Sequence, residues 1–262
     1  MLAHSRTGTG EPLILVHGVT HRREAWDTVT PYLEKEHEVI AVDLPGHGES
    51  ADVDPGFDGG SAPLVDAVEG LVRDLGLESP HIAGNSLGGL IALEMAARGS
   101  VASATALSPA GFWSPVGRLW ARGVLTGASA ALRRLSPEQL DRVLAGATGR
   151  AALTGLIMAH PGRQDPAVLA RDLQGLARPR EGFTAMMAGL DRWTAPRRSD
   201  VPTMVAWGNR DYLLPRAQIR RLRTVLPDAH VVVLPDCGHI PMADDPALVA
   251  EVILGNARLA RP

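Results

Sequence analysis

The chain has 262 residues, with 26 basic and 29 acidic side chains and a formal charge of −3. That length fits one large α/β domain with room for an inserted subdomain, and an apolar fraction of 45% with 21% charged residues excludes a disordered chain. The near balance of charge offers no basic field for nucleic acid, and the single cysteine, Cys237, excludes an internal disulfide and a thiolate metal cluster.

The start, Met1-Leu2-Ala3-His4-Ser5-Arg6, lacks the basic-then-apolar pattern of a secretory signal. No apolar run approaches the roughly 18 residues of a membrane span. A cytoplasmic protein without a membrane span is therefore expected. Strands are predicted at Leu13–Val16, Glu38–Val42, His81–Gly84 and Ala102–Leu107, each a short apolar run ended by a turn-forming residue. Between them Arg22–Leu33, Leu64–Leu75 and the stretch following Ser86 carry apolar positions three and four apart and read as helices. From Gly111 to Ser199 no strand-like run occurs, and Arg118–Leu125, Glu138–Leu144, Leu153–Met158, Pro166–Leu176 and Thr184–Leu190 read as helices. Strand signals return at Thr203–Trp207 and His230–Leu234, with helices at Arg216–Val225 and Pro246–Leu259. Strands alternating with helices imply a mainly parallel sheet covered on both faces. The organisation is one α/β core, residues 1–110 and 200–262, interrupted by an all-helical insertion at 111–199.

The chemistry centres on Gly84-Asn85-Ser86-Leu87-Gly88, a G-x-S-x-G between a predicted strand and a predicted helix. There it describes a nucleophile elbow, a tight turn that lifts a serine hydroxyl clear of the sheet. Leu87 then opens the helix, where its free N–H can meet a developing oxyanion. A serine hydroxyl needs a base, and the base needs an orienting carboxylate. Asp211, after one later strand, and His239, after the last, supply them in the order expected for this architecture. Asp200, Asp228 and Asp236 are the other acids available, although Asp236 lies too near His239 in sequence to reach its far ring nitrogen.

With these residues in place the chain resembles the α/β-hydrolase superfamily. His17-Gly18-Val19 is similar to the segment in which that family builds the second half of its oxyanion hole, which implies the backbone N–H groups of Val19 and Leu87 as donors. Asp43-Leu44-Pro45-Gly46-His47-Gly48-Glu49-Ser50 resembles the family's loop after the following strand, and 111–199 falls where the family carries its cap. Members begin with a strand hairpin. Here only Leu2–Arg6 precedes the Gly8-Thr9-Gly10 turn, so the first edge strand is expected to be missing.

The resemblance implies a serine hydrolase that cleaves a carboxylic ester or thioester of a small to medium apolar acyl group through an acyl-enzyme on Ser86. No metal or organic cofactor is implied, and the partner is a small-molecule substrate. Trp113, Trp120, Met158, Phe183 and Met187 are the candidates for an acyl pocket. The segment 111–199 carries 13 arginines against six acids, about +7, leaving the remainder about −10. That asymmetry serves an anionic substrate, or else the arginines are solvated or dock the cap on an acidic body. A carbon–carbon hydrolase of ring-cleavage products shares the Gly-Asn-Ser elbow but carries an aromatic where this chain has Ile240. A cofactor-free perhydrolase would use the same triad, and a non-enzymatic hydrolase-like receptor is a further alternative. His17 and His47 read as loop organisers, Cys237 as a packing residue, and Asp244-Asp245-Pro246 as a helix cap.

Overall fold

The computed structural model describes residues 1–196 and 198–260. Arg197, one of the arginines of the helical segment, lies outside the described residues. Seven strands, β1 (His4–Thr7), β2 (Glu11–Val16), β3 (His37–Val42), β4 (His81–Asn85), β5 (Ser103–Leu107), β6 (Thr203–Gly208) and β7 (His230–Leu234), form one sheet in the order β1-β3-β2-β4-β5-β6-β7. Every pairing is parallel except that of β1 with β3. Strands β4 and β5 are buried along their whole length, as strands covered on both faces must be. At the β1 edge the residues are polar and exposed, and Arg6 pairs with Glu38 of β3 at 2.6 Å. Among the described residues β1 has no strand outside it, so one antiparallel strand stands where a hairpin would.

The chain runs from β2 outward to β3 and then returns to place β4 on the other side of β2. This reversal opens a crevice beyond the carboxyl ends of β2 and β4, where ligands bind in open α/β sheets. Helices α1 (Thr30–Leu33), α2 (Ala62–Asp74) and α3 (Leu87–Arg98) follow β2, β3 and β4. The predicted helix at Arg22–Leu33 is instead a 3-10 turn at Arg23–Trp26 followed by α1. Pro31 explains the break, since it lacks an N–H and its ring excludes the carbonyl four residues back. Helix α3 ends on Gly99 in the left-handed conformation, φ 70°.

Between β5 and β6 lie α4 (Pro115–Leu132), α5 (Pro137–Ala145), α6 (Ala147–Thr154), α7 (Pro166–Ala177) and α8 (Glu181–Ala188), with no strand among the described residues. Three of these starts are written in the sequence: Ser114 accepts from Gly117 N–H, Ser136 and Gln139 form a reciprocal capping box, and Asp165 accepts from Ala167 N–H, each followed by proline at the first helical position. Helix α6 lies six residues before its predicted start at Leu153. Its opening, Gly146-Ala147-Thr148-Gly149, has the composition of a loop, and Arg150 compensates by donating to the carbonyls of Leu144, Ala145, Pro161 and Gly162. The chain closes with α9 (Ile219–Val225), α10 (Pro241–Asp244) and α11 (Pro246–Leu259), the last capped by Asp245 on Leu248 N–H. No helix among the described residues is long and apolar enough to cross a membrane.

Candidate active site

Ser86 sits between β4 and α3 at φ 56° and ψ −112°, a backbone conformation that a residue with a side chain adopts only under constraint. The surroundings impose it. Ser86 N–H donates to Leu107 O at 2.9 Å, and its own carbonyl accepts from Leu90 and Ala110 N–H. A Cβ at position 84 would collide with the Gly88 carbonyl, and one at position 88 with the Val16 carbonyl, so both elbow glycines are required by close backbone approach. The serine is held at the mouth of the crevice by geometry that Gly84 and Gly88 alone permit.

His239 Nδ1 lies 2.9 Å from Asp211 Oδ2, with both residues buried. Asp211 is itself fixed, because its Oδ1 accepts from Leu213 N–H at 3.0 Å and Leu214 N–H at 2.7 Å. Of the candidate acids, Asp211 is thus the one beside the imidazole. The pair leaves Nε2 of His239 as the nitrogen for proton transfer. Ser86 and His239 line one cavity of about 450 Å³, and Gly18, Val19 and Asn85 share its floor.

The two loop histidines organise backbone. His17 Nε2 accepts from Leu44 N–H at 3.0 Å while Nδ1 donates to Gly18 O at 2.7 Å. Burial, with the His47 ring 4.9 Å away, pushes its pKa well below 6.5 and keeps it neutral. His47 sets Nδ1 against Pro45 O and Nε2 against Val19 O at 2.7 Å, so the Val19 peptide is held from its carbonyl side. Asp43 ties the same loop down by accepting from Arg23 and from Glu49 N–H. Leu87 stands at the first position of α3, where its N–H has no intrahelical partner. Burial and the neighbouring carboxylates push the Cys237 thiol up to about 12, so it stays protonated and unreactive.

The cavity walls come chiefly from the helical segment. Gly123, Gly127, Ala128 and Ala131 of α4 face Leu153, Leu156 and Ile157, with Leu173 and Leu176 of α7 between them. The five residues predicted for an acyl pocket are placed elsewhere. Trp113 stacks on Trp193, Trp120 donates to Tyr212 O, Met158 and Met187 are buried in the core, and Phe183 lines a neighbouring cavity. The reason is volume: aromatic and methionine side chains fill space, and open space lies where glycine and alanine leave it. A larger open cleft of about 850 Å³ lies beside α2 and contains none of Ser86, Asp211 and His239.

Among the described residues no arginine lines the Ser86 cavity. Arg180 instead pairs with Asp52 at 2.7 Å and donates to Ser50 O, and Arg192 donates to Asp58 O, so these arginines dock the helical segment on the sheet body. An adjoining cavity of about 210 Å³ shares Val19, Thr20, His21 and Leu176 with the first, and Arg22, Arg171, Arg178 and Arg180 line it.

Two residues that the sequence did not place in the site hold it together. Asn85 donates to His239 O at 2.8 Å and to Leu107 O, joining the elbow to the histidine loop. Asp244, expected only near a helix cap, accepts from Gly238 N–H and also from Ala159 and His160 N–H, while Ile240 N–H donates to Ile157 O. The histidine loop is therefore bonded to the helical segment. A buried polar residue inside the elbow motif was the available signal for Asn85; for Asp244 there was none.

A family model described as "Alpha/beta hydrolase family" matches residues 13–252. The dihydrolipoyllysine-residue acetyltransferase component of the acetoin cleaving system of Pseudomonas putida is 29% identical over 95% of this chain, which spans 64% of that relative's length. Lipase 1 of Psychrobacter immobilis is 26% identical, covering 90% of this chain and 73% of its own. Among solved structures, a thermophilic esterase from Thermogutta terrifontis superposes with a TM-score of 0.76 at 27% identity, over 100% of this chain and 94% of that one.

Proposed function

We propose, from the premise that the chain belongs to the alpha/beta hydrolase family, that it is a serine hydrolase acting on carboxylic esters or thioesters of apolar acyl groups. The observation that carries this reading is the His239–Asp211 pair opening onto the same cavity as the constrained Ser86. His239 takes the Ser86 proton as Ser86 attacks the substrate carbonyl, and Asp211 holds the imidazole in the tautomer that leaves Nε2 free to accept. The N–H groups of Val19 and Leu87 stabilise the tetrahedral oxyanion, each worth about 3 kcal/mol. His239 then protonates the leaving group, and water repeats the sequence on the acyl-enzyme.

Residues 111–199 act as the cap, and its small and aliphatic residues receive the acyl chain. Among the described residues that lining holds no arginine, lysine, aspartate or glutamate, which supports an uncharged apolar acyl group. With Arg180 paired to Asp52, Arg171 beside Asp172 and Arg22 beside Glu24, Arg178 of the adjoining cavity is the arginine that would meet a negative charge on the leaving group, as in an acyl thioester with an anionic carrier. Ile240 in the cavity wall favours ester or thioester chemistry over carbon–carbon cleavage.

Replacing Ser86 by alanine is expected to lower kcat on p-nitrophenyl esters by about 10⁶-fold and to abolish labelling by a fluorophosphonate. Wild-type turnover in that variant would end the proposal. A series of esters and thioesters of increasing acyl length identifies the substrate class.

A further inference from the structure

At the amino ends of the central strands, a strand's length from Ser86, three side chains of metal-ligating type converge. We propose that Glu11, His37 and His81 form a binding site for a divalent transition-metal ion of the zinc class. They are the first residues of β2, β3 and β4, which are neighbours in the sheet. The register sets Glu11 opposite His37 and Leu13 opposite His81, so all three side chains share one face. One ligand atom from each lies within 4.8 Å of the others, and His81 Nε2 is 3.6 Å from Glu11 Oε2. Tetrahedral zinc, with bonds of about 2.0–2.2 Å, sets its ligands roughly 3.4 Å apart. No gap therefore has to close by more than about 1.4 Å, and the His81–Glu11 pair already stands near that spacing at 3.6 Å.

The protonation pattern is that of a ligand set. His37 Nδ1 lies 3.0 Å from Glu11 O. A carbonyl can only accept, so the proton sits on Nδ1 and Nε2 carries a lone pair. His37 is 1% exposed, and its Nε2 is a buried polar atom with no hydrogen-bond partner, an arrangement that native interiors avoid. A cation supplies the missing partner. His81 is also buried, and its Nδ1 is held by Ser103 Oγ at 2.9 Å, which leaves Nε2 toward Glu11. Metal-binding imidazoles are characteristically oriented through the second nitrogen in this way. Two imidazoles with one carboxylate suit zinc and its neighbours, whereas calcium and magnesium require oxygen ligands. The site lies about 17 Å from Ser86 along β4, so the ion clamps three strands together and takes no part in the hydrolysis.

The test uses the full chain, free of tags and stripped of metal, titrated with Zn²⁺ by calorimetry and with Co²⁺ by visible absorption. One equivalent should bind with tetrahedral cobalt bands and raise the thermal midpoint, while ester turnover stays unchanged. Glu11→Gln, at a half-exposed position, should weaken binding at least tenfold without disturbing the fold, and His37→Gln should remove the cobalt bands. Ser103→Ala should weaken binding about 10- to 100-fold. Absence of saturable binding by the wild-type protein overturns the proposal, and so does binding of equal strength in Glu11→Gln and Ser103→Ala. Those two variants decide the matter if His37→Gln does not fold.

Discussion

Replacing Asp211 by asparagine isolates the orienting role of the carboxylate. Oδ1 of Asp211 accepts from the N–H groups of Leu213 and Leu214, at 3.0 and 2.7 Å. In the asparagine amide the oxygen must stay on that side, because an NH₂ there would face two donors. The NH₂ then takes the place of Oδ2, 2.9 Å from His239 Nδ1. Nδ1 must now accept, the imidazole proton moves to Nε2, and Nε2 loses the lone pair that would receive the serine proton. Turning the amide over would leave two buried N–H groups unsatisfied, at about 1–3 kcal/mol each, so the wrong tautomer persists. The expected loss is about 10⁴-fold in kcat, or about 5.5 kcal/mol of barrier, with folding stability lowered by no more than about 3 kcal/mol. Turnover of p-nitrophenyl butyrate measures the first, urea unfolding the second, and ¹⁵N NMR of the imidazole reads the tautomer. Activity within tenfold of wild type, or a proton still on Nδ1, refutes the reasoning.

Ala128→Phe fills the α4 side of the cavity; kcat/KM for long-chain esters should fall at least tenfold relative to the acetate ester, at about 1–3 kcal/mol for each methylene excluded, and equal losses along a chain-length series would count against this wall as the acyl site. Asp244→Ala leaves the N–H groups of Gly238, Ala159 and His160 without their acceptor, so stability in urea unfolding should drop by about 3 kcal/mol or more. Burial holds the His17 pKa well below the ordinary 6.5. Below pH 6.5 the unfolded chain therefore binds a proton that the folded chain refuses, so stability is greatest above that pH and falls as the pH drops toward the folded value. Thermal midpoints between pH 5 and 8 test this, and His17→Gln should reduce the slope, leaving the part due to His21 and His47, whose pKa values burial also lowers.

Most of the sheet was legible because strands covered on both faces are compact apolar runs, as in Leu13–Val16 and His81–Gly84. β1 escaped notice because His4-Ser5-Arg6-Thr7 is exposed at an edge and carries no hydrophobic pattern. Helix α4 extends well beyond its predicted Arg118–Leu125, since Gly123 and Gly127 read locally as punctuation while packing carries the helix through them. The elbow, the acid and the histidine were readable because each needs a particular residue type beside a turn. The cavity beside Ser86 was not. It is defined by side chains that are small, and a search for large apolar residues finds the packed core around Trp113 and Trp193 instead.

The bonds that run from Asp244 and Ile240 to residues 157–160 have a consequence for how a substrate is admitted. Were the helical segment to swing up on that side, it would pull residues 238–240 with it and draw His239 away from Ser86. An enzyme gated there would be disarmed whenever it stood open and armed again only on closure, so water reaching an open chamber would meet a nucleophile with nothing to take its proton.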